Sequence, residues 1–315
     1  MNGLENVLIA GGTGLIGANL TALLRELGAD PVATRFSNTR PDFNDLPRFD
    51  FTSFDDCLKS TKGRNALVIA AALSFGAAQN KANPTGATLP NLKIITGLLE
   101  AAARNGIKKV VMLSSSTVYQ PANYPIAENQ LDLATPVHDA YKTVGNMYRY
   151  LEQLATSYGE IYGQDIYILR PTSVYGPYDS FDPHKSNVIP ALIRRACDGE
   201  SPFSVWGSPD VVRDFIYVKD VVTDITTCLT DDTIPTSTPI NISSGTPVTI
   251  GQTVNMVLEA CDHKADVQFD TSKPTTIPYR AVDNTLYKEL FGSMPRTPLI
   301  EGLKATRTWY QAEEA

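Results

Sequence analysis

The chain has 315 residues, enough for one large α/β unit or two intimate domains, and its net charge of −7 argues against nucleic acid or an anionic membrane as partner. Four scattered cysteines (Cys57, Cys197, Cys228, Cys261) and three dispersed histidines (His138, His184, His263) form no zinc spacing and no disulfide framework. No metal is expected, reduced thiols imply the cytoplasm, and with a first strand near Val7 and no long apolar run, neither leader nor membrane span is expected.

Val7-Leu8-Ile9-Ala10 reads as a short buried strand. It runs into Gly11-Gly12-Thr13-Gly14-Leu15-Ile16-Gly17 and then a helical run, Ala18 to Leu27. Between a strand and a helix, Gly-x-x-Gly-x-x-Gly signals dinucleotide binding. Gly11 allows the tight turn, Gly14 the approach of a pyrophosphate, and Gly17 close helix packing. Thr13, Leu15 and Ile16 share that loop, where the helix N-terminus offers N–H groups to an anion.

The second strand, Pro31 to Arg35, ends where such folds meet the adenosine ribose. An acid there suits the free 2′-hydroxyl of NAD; an arginine suits the 2′-phosphate of NADP. Arg35 stands there with no acid beside it and Arg40 close by, so NADP(H) is the expected cofactor. A polar loop, Ser37 to Arg48, precedes Asp50-Phe51, expected along the adenine edge.

Ala66 to Ala72 is an apolar run typical of a strand buried on both faces, its end (Ala70, Ala71, Ala72) lying beside the cofactor. Asn91 to Ala103 reads as a helix with Leu92, Ile95, Leu98, Leu99 and Ala102 on one face, ended by Gly106. Val110 to Leu113 is the next strand, Val137 to Tyr158 contains a long helix, and Ile166 to Leu169 is another strand. This alternation predicts a doubly wound parallel sheet of Rossmann type with right-handed crossovers.

After Arg170-Pro171 prolines become frequent, helices short, and strands such as Phe203 to Trp206 isolated. Residues 1–170 are read as the cofactor domain and 171–315 as a smaller substrate domain. The latter is discontinuous, with segments near 212–245, including Ile240-Asn241-Ile242, returning to the first.

Ser115 follows a buried strand at the end where open α/β sheets bind ligands. Tyr141 begins a later helix, and a tyrosine poised to pass a proton is a suitable acid/base for hydride transfer. Because a free tyrosine titrates near pH ~10, such a group needs positive charge nearby to work near neutrality.

The glycine turn, Ser115-Ser116-Thr117-Val118-Tyr119, Tyr141, Arg170 to Pro177 and Arg213-Asp214-Phe215-Ile216-Tyr217-Val218-x-Asp220 occur in that order. As an ordered set they resemble the extended short-chain dehydrogenases of the NAD-dependent epimerase/dehydratase superfamily, which modify nucleotide sugars. Ser186 to Arg195 and Val205 to Ser208 are similar to the GDP-L-fucose synthase group, NADPH-dependent 3,5-epimerases and 4-reductases of a GDP-4-keto-6-deoxyhexose. The resemblance implies Ser115 and Tyr141 as catalytic residues, with Tyr141 and Pro171 also against the cofactor. It implies Ser173, Asn187, Val188, Arg195, Trp206, Arg213 and Arg280 on a nucleotide-diphosphate sugar, the arginines suiting its phosphates. Ser116, Thr117 and Asn187 fall at substrate or proton-shuttle positions. It also implies a homodimer through the helices Asn91 to Ala103 and Val137 to Tyr158, with Met147, Leu151 and Tyr158 at the two-fold interface.

Three departures stand out. The family lysine four residues after the tyrosine, which holds the nicotinamide ribose and tunes the tyrosine, is here Gly145. The cysteine and histidine that move protons beside the ketone are Thr117 and Asn187, neither a ready base. The reading is therefore a C4 reductase whose 3,5-epimerase half is in doubt. The alternatives are a nucleotide-sugar 4-epimerase and a nucleotide-binding protein without catalysis.

Overall fold

The computed structural model describes residues 4–37, 40–73, 83–272, 277–292 and 295–314. In chain order, β1 (Val7–Ala10) leads to α1 (Leu15–Glu26), then β2 (Val32–Ala33), α2 (Phe54–Thr61) and β3 (Ala66–Ile69). Next come α3 (Thr88–Arg104), β4 (Lys109–Leu113), α4 (Lys142–Tyr162), β5 (Asp165–Pro171) and β6 (Ser173–Tyr175). The later elements are α5 (Val188–Cys197), β7 (Phe203–Trp206), β8 (Val212–Arg213), β9 (Phe215–Tyr217), α6 (Val218–Thr230) and β10 (Pro239–Ile242). They are followed by β11 (Val248–Thr249), α7 (Ile250–Ala260), β12 (Val267–Asp270), β13 (Tyr279–Arg280), α8 (Thr285–Phe291) and α9 (Leu299–Glu314).

Six strands form one sheet in the order β2-β1-β3-β4-β5-β10, every pair parallel. Alternate residues of each strand enter opposite layers, as strand geometry requires. Val7, Ile9, Val68, Val111, Tyr167 and Leu169 join the core layer that includes Leu20 and Leu24 of α1 and Val221 and Ile225 of α6. Leu8, Leu67, Ile69, Val110, Met112, Ile166 and Ile168 join the layer of Ile95, Leu98 and Leu99 of α3 and Leu151 of α4. The sheet is thus covered on both faces, the doubly wound arrangement expected from the alternation of elements. Among the described residues no helix is long and apolar enough to cross a membrane, and no cluster of three potential metal ligands occurs.

Some boundaries differ from the sequence reading. The strand expected over Ala66 to Ala72 ends at Ile69, and Ala70 to Ala72 form the loop beyond it, with the Ala70 N–H still donating to the Ala10 carbonyl. Of the loop expected over Ser37 to Arg48, residues 38–39 lie outside the described residues. The expected return of 212–245 to the main sheet is made by α6, which packs on α1, and by β10, which pairs with β5. β8 instead pairs with β11 and β13, and β9 with β6, so this stretch alternates between the two halves. Phe203 to Trp206 is not isolated: it pairs in parallel with β12.

Candidate active site

The glycine turn sits at the C-terminal end of β1. Gly11 has φ +89°, and a Cβ there would meet the Ala71 backbone at 2.7 Å. A Cβ on Gly17 would strike the Gly11 carbonyl oxygen at 2.1 Å. A Cβ on exposed Gly14 would meet only the Gly11 carbonyl oxygen, at 3.6 Å. Its outer side is open, as approach of a pyrophosphate requires. No side chain caps α1 and no acid lies in its first turn, so the helix itself offers nothing that would compete with or repel an anion at the N–H groups around Leu15 and Ile16. These features fit a dinucleotide held by the turn.

Residues that the motif did not reveal hold this turn. Thr34 Oγ1 accepts from the Gly11 N–H and donates to the Ile9 carbonyl. Asn19 Nδ2 donates to the Leu15 and Pro177 carbonyls, tying α1 to the Gly176-Pro177 segment. Buried Asn91 both accepts from the Leu73 N–H and donates to its carbonyl, fixing the chain just beyond Ala70, Ala71 and Ala72.

Arg35 follows β2, and its Nε donates to the Leu46 carbonyl. Its backbone bridges Arg48, whose Nε donates to the Phe36 carbonyl, so two guanidinium groups share the end of this edge strand. Arg40 is engaged elsewhere: its guanidinium lies 5.3 Å from the Tyr178 ring centre and 5.1 Å from that of Trp309, and pairs with Glu313. Arg48, not Arg40, is therefore the second cation beside Arg35. Asp50 accepts from the Thr52 backbone and hydroxyl. Phe51 is buried and stacked on Phe49, so its ring belongs to the core rather than to an adenine edge.

At the end of β4 the chain turns through Ser115 to Val118. The Ser115 Oγ accepts from the Thr117 N–H at 3.2 Å and from the Thr117 hydroxyl at 2.9 Å. With both acceptances made inside the turn, the Ser115 hydrogen is left to donate outward. Thr117 is thereby a support for Ser115, and Ser116 is buried.

A buried polar network braces this turn from beneath. Arg170 makes a bidentate pair with Glu152 and donates to the Tyr119 hydroxyl, which donates to Asn241. Ser114 donates to the same Glu152, and Arg149 to the Val118 carbonyl. Burial pushes the Tyr119 hydroxyl well above the usual tyrosine range, against the pull of Arg170. Nothing in the linear pattern pointed to Glu152, because its partners, Ser114 after β4 and Arg170 on β5, come from two other segments.

Tyr141 closes a short turn, Asp139–Tyr141, and stands at the start of α4. The Arg280 guanidinium lies over its ring, 4.9 Å from the centre. Arg280 and Arg213 are directly paired across β13 and β8, and Arg280 also donates to the Ser173 Oγ. Arg213 is buried. Burial first, then the nearby Arg280 charge, lowers the Arg213 guanidinium to about 10, while Tyr141 favours its charge. Arg280 is only half-buried, and Arg213 Nη1 donates to the Val212 carbonyl. Two neighbouring guanidinium groups repel, and an anion beside them would favour both. Ser173, Arg213, Arg280 and Tyr141 thus form one cluster.

Other expected site residues lie differently. Asn187 begins α5 without capping it, and both it and Val188 are exposed. Trp206 is 73% exposed at the end of β7. Arg195 is held by the Glu200 carboxylate and the Ser204 carbonyl and lies over Phe203, so its guanidinium is occupied within its own segment. Pro171 ends β5 opposite Ile242.

Residues 7–243 match the NAD dependent epimerase/dehydratase family. The chain is 30% identical to a GDP-L-fucose synthase of Escherichia coli (strain K12), covering 97% of this chain and 96% of that one. It is 27% identical to a dTDP-4-dehydro-6-deoxy-D-allose reductase of Streptomyces bikiniensis, over 98% and 96% of the two chains. Among solved structures, a GDP-6-OMe-4-keto-L-xylo-heptose reductase from Campylobacter jejuni superposes with TM-score 0.86 at 24% identity, covering 99% of each chain. A GDP-L-fucose synthetase from Naegleria fowleri bound to NADP gives 0.84 at 21% identity, covering 100% of this chain and 96% of that one.

Proposed function

The chain belongs to the NAD dependent epimerase/dehydratase family, and we propose that it is an NADP(H)-dependent reductase of a nucleotide-diphosphate 4-keto sugar. The observation that carries this reading is the placement of Tyr141 against the paired Arg213 and Arg280. That cluster joins a proton donor to an anion site, and a ketone reductase acting on a sugar diphosphate needs both.

The Gly11 to Gly17 turn and Arg35 would hold the dinucleotide, with Arg48 as a second cation for its 2′-phosphate. When bound, its nicotinamide supplies the hydride for the ketone carbon. The Ser115 hydroxyl donates a hydrogen bond to the ketone oxygen and polarises it. The Tyr141 hydroxyl gives that oxygen its proton, so ketone becomes alcohol. Arg213 and Arg280 bind the diphosphate, and Trp206, 73% exposed, is the aromatic residue proposed to contact the base. Thr117 and Asn187 provide no titrating base for epimerisation at the neighbouring carbons.

The two halves divide the task, with 1–170 for the cofactor and most of 171–315 for the sugar nucleotide. The cytoplasm is the proposed setting, from the four cysteines scattered along the sequence. Pairing through α3 and α4 is the proposed route to a homodimer. Its interface differs from the one expected, because Met147 and Leu151 are buried in the core and Tyr158 donates to Glu100. Tyr150, 53% exposed, Ile161, 72% exposed, and Tyr162, 54% exposed, are the large apolar groups that α4 offers instead.

The decisive assay mixes the protein with NADPH and a GDP- or dTDP-linked 4-keto-6-deoxy sugar. A reductase consumes NADPH in proportion to alcohol formed. Conversion without net consumption would indicate a 4-epimerase, and tight NADPH binding with no turnover of any sugar nucleotide would indicate a binding protein.

A further inference from the structure

Two helix–strand units of the second half lie side by side. α5 leads into β7 and α7 into β12; the helices pack together, and the strands pair in parallel with Phe203 opposite Val267. Cys197, the last residue of α5, precedes Phe203 by the same interval at which Cys261, just after α7, precedes Val267. Equal offsets in two parallel, in-register units bring the two cysteines together, and the Cys261 thiol donates a hydrogen bond to Cys197. The turns that follow are tied as well. His263 Nε2 donates to the Glu200 carbonyl and the Phe203 N–H to the Asp266 carbonyl, each at 2.8 Å.

α9 packs on both helices and brings Arg307 to this corner. Arg307 Nη1 donates to the Ala260 carbonyl and to the Asp262 carboxylate, while its Nε is buried with no hydrogen-bond partner among the described residues. The hydrogen bond from Cys261 holds the Cys197 thiol below the ordinary thiol range, against burial; Arg307 lowers it further and Asp198 opposes. Asp198 is itself paired with Arg194. The same hydrogen bond, with burial, pushes the Cys261 thiol up. Cys197 is half-buried and Cys261 buried, so a reagent from solvent meets Cys197 first. The other two thiols contrast with it. Cys57 donates to the Phe51 carbonyl and is pushed up to about 12 by burial, and burial also raises Cys228.

We propose that Cys197 is a peroxide-reactive modification site and Cys261 its resolving thiol, so that oxidation staples α5 to α7 reversibly. The Cys197 thiolate attacks one peroxide oxygen; the O–O bond breaks, hydroxide leaves, and Cys197 becomes a sulfenic acid. The Cys261 sulfur then attacks the Cys197 sulfur; the S–O bond breaks, and the departing hydroxide takes the Cys261 proton as water. In sum, two thiols lose two electrons and two protons to become a disulfide, and one peroxide is reduced to two waters. Exchange with a small thiol restores the pair. A transient bond of this kind belongs to redox sensing in reducing compartments. It uses no residue assigned to the nicotinamide or to the sugar nucleotide, so it stands or falls apart from the proposed reaction.

The test treats the reduced protein with an equimolar amount of hydrogen peroxide and maps its peptides by mass spectrometry. The wild type should become two hydrogens lighter, yield a Cys197–Cys261 cross-linked peptide, and lose exactly two of its four alkylatable thiols on denaturation. A dithiol reductant should reverse all three changes. Cys261→Ser should stop at a sulfenic acid on Cys197 that dimedone traps, and Cys197→Ser should leave Cys261 unmodified. Because the bond closes a long loop, oxidation should raise the wild-type melting temperature by about 3 °C or more, and that of Cys261→Ser not at all. Oxidation beginning at Cys57 or Cys228, or four free thiols after treatment, overturns the proposal. A cross-link formed without a rise in melting temperature overturns the staple. If a serine variant does not fold, the wild-type peptide map and the corresponding alanine variant decide.

Discussion

Gly145 and Thr117 meet backbone to backbone: the first turn of α4 rests directly under the carbonyl of the turn that carries Ser115. A side chain at 145 would push these two elements apart. Gly145→Ala should therefore destabilise the fold by about 1–3 kcal/mol, as overpacking does, outweighing the gain of up to about 1 kcal/mol that alanine brings to a helix interior. Turnover should fall with it, because the Ser115 turn moves. Urea unfolding and steady-state kinetics on the same variant provide the check; a more stable, fully active Gly145→Ala would refute the contact.

Cofactor preference follows from Arg35 with Arg48. NADPH should bind at least tenfold more tightly than NADH, about 1.4 kcal/mol. Arg35→Asp should narrow or reverse the ratio, and Arg40→Ala should leave it unchanged, since Arg40 is engaged by Tyr178, Trp309 and Glu313. Calorimetric titration with both nucleotides measures this; equal wild-type affinities would remove the role assigned to Arg35.

Tyr141→Phe keeps the ring beneath Arg280 and removes the hydroxyl. Turnover should drop by about 10²-fold or more while NADPH affinity stays nearly constant. If the variant retains full activity, another group donates the proton, and Tyr148, one helical stretch further on, is the next to replace. Burial pushes the Tyr148 hydroxyl up to about 12, which suits a packing role better.

Asp179 makes stability depend on pH. One of its carboxyl oxygens is buried without a hydrogen-bond partner among the described residues, and burial raises the group from 3.8 to about 7. The folded state then holds a proton that the unfolded chain releases between those values. Its stability is fully present below about pH 4 and is lost as pH rises through about 7. Asp179→Asn, neutral throughout, should flatten this slope and raise the melting temperature at pH 8 relative to wild type. Thermal unfolding at pH 5 and pH 8 checks it, and identical slopes in the two proteins would sink the idea.

Local order along the chain determined the doubly wound fold, the glycine turn and the placement of Arg35. A strand, a Gly-rich turn and a helix are adjacent residues, and their geometry follows from backbone sterics and apolar alternation. Ser115 and Tyr141 were legible for the same reason, each standing at the boundary of an element. What could not be read there were contacts between distant segments. The Glu152–Arg170 pair joins α4 to β5, and Asn19 joins α1 to Pro177. Arg195, for all its place in a matching motif, was taken by Glu200 five residues on, because a partly buried guanidinium accepts whichever carboxylate the local fold supplies. The cation beside Tyr141 was the deepest of these surprises. Spacing along a helix pointed to residue 145, where the Thr117 backbone excludes any side chain, and only the pairing of β13 with β8 brought Arg280 across the chain to the ring.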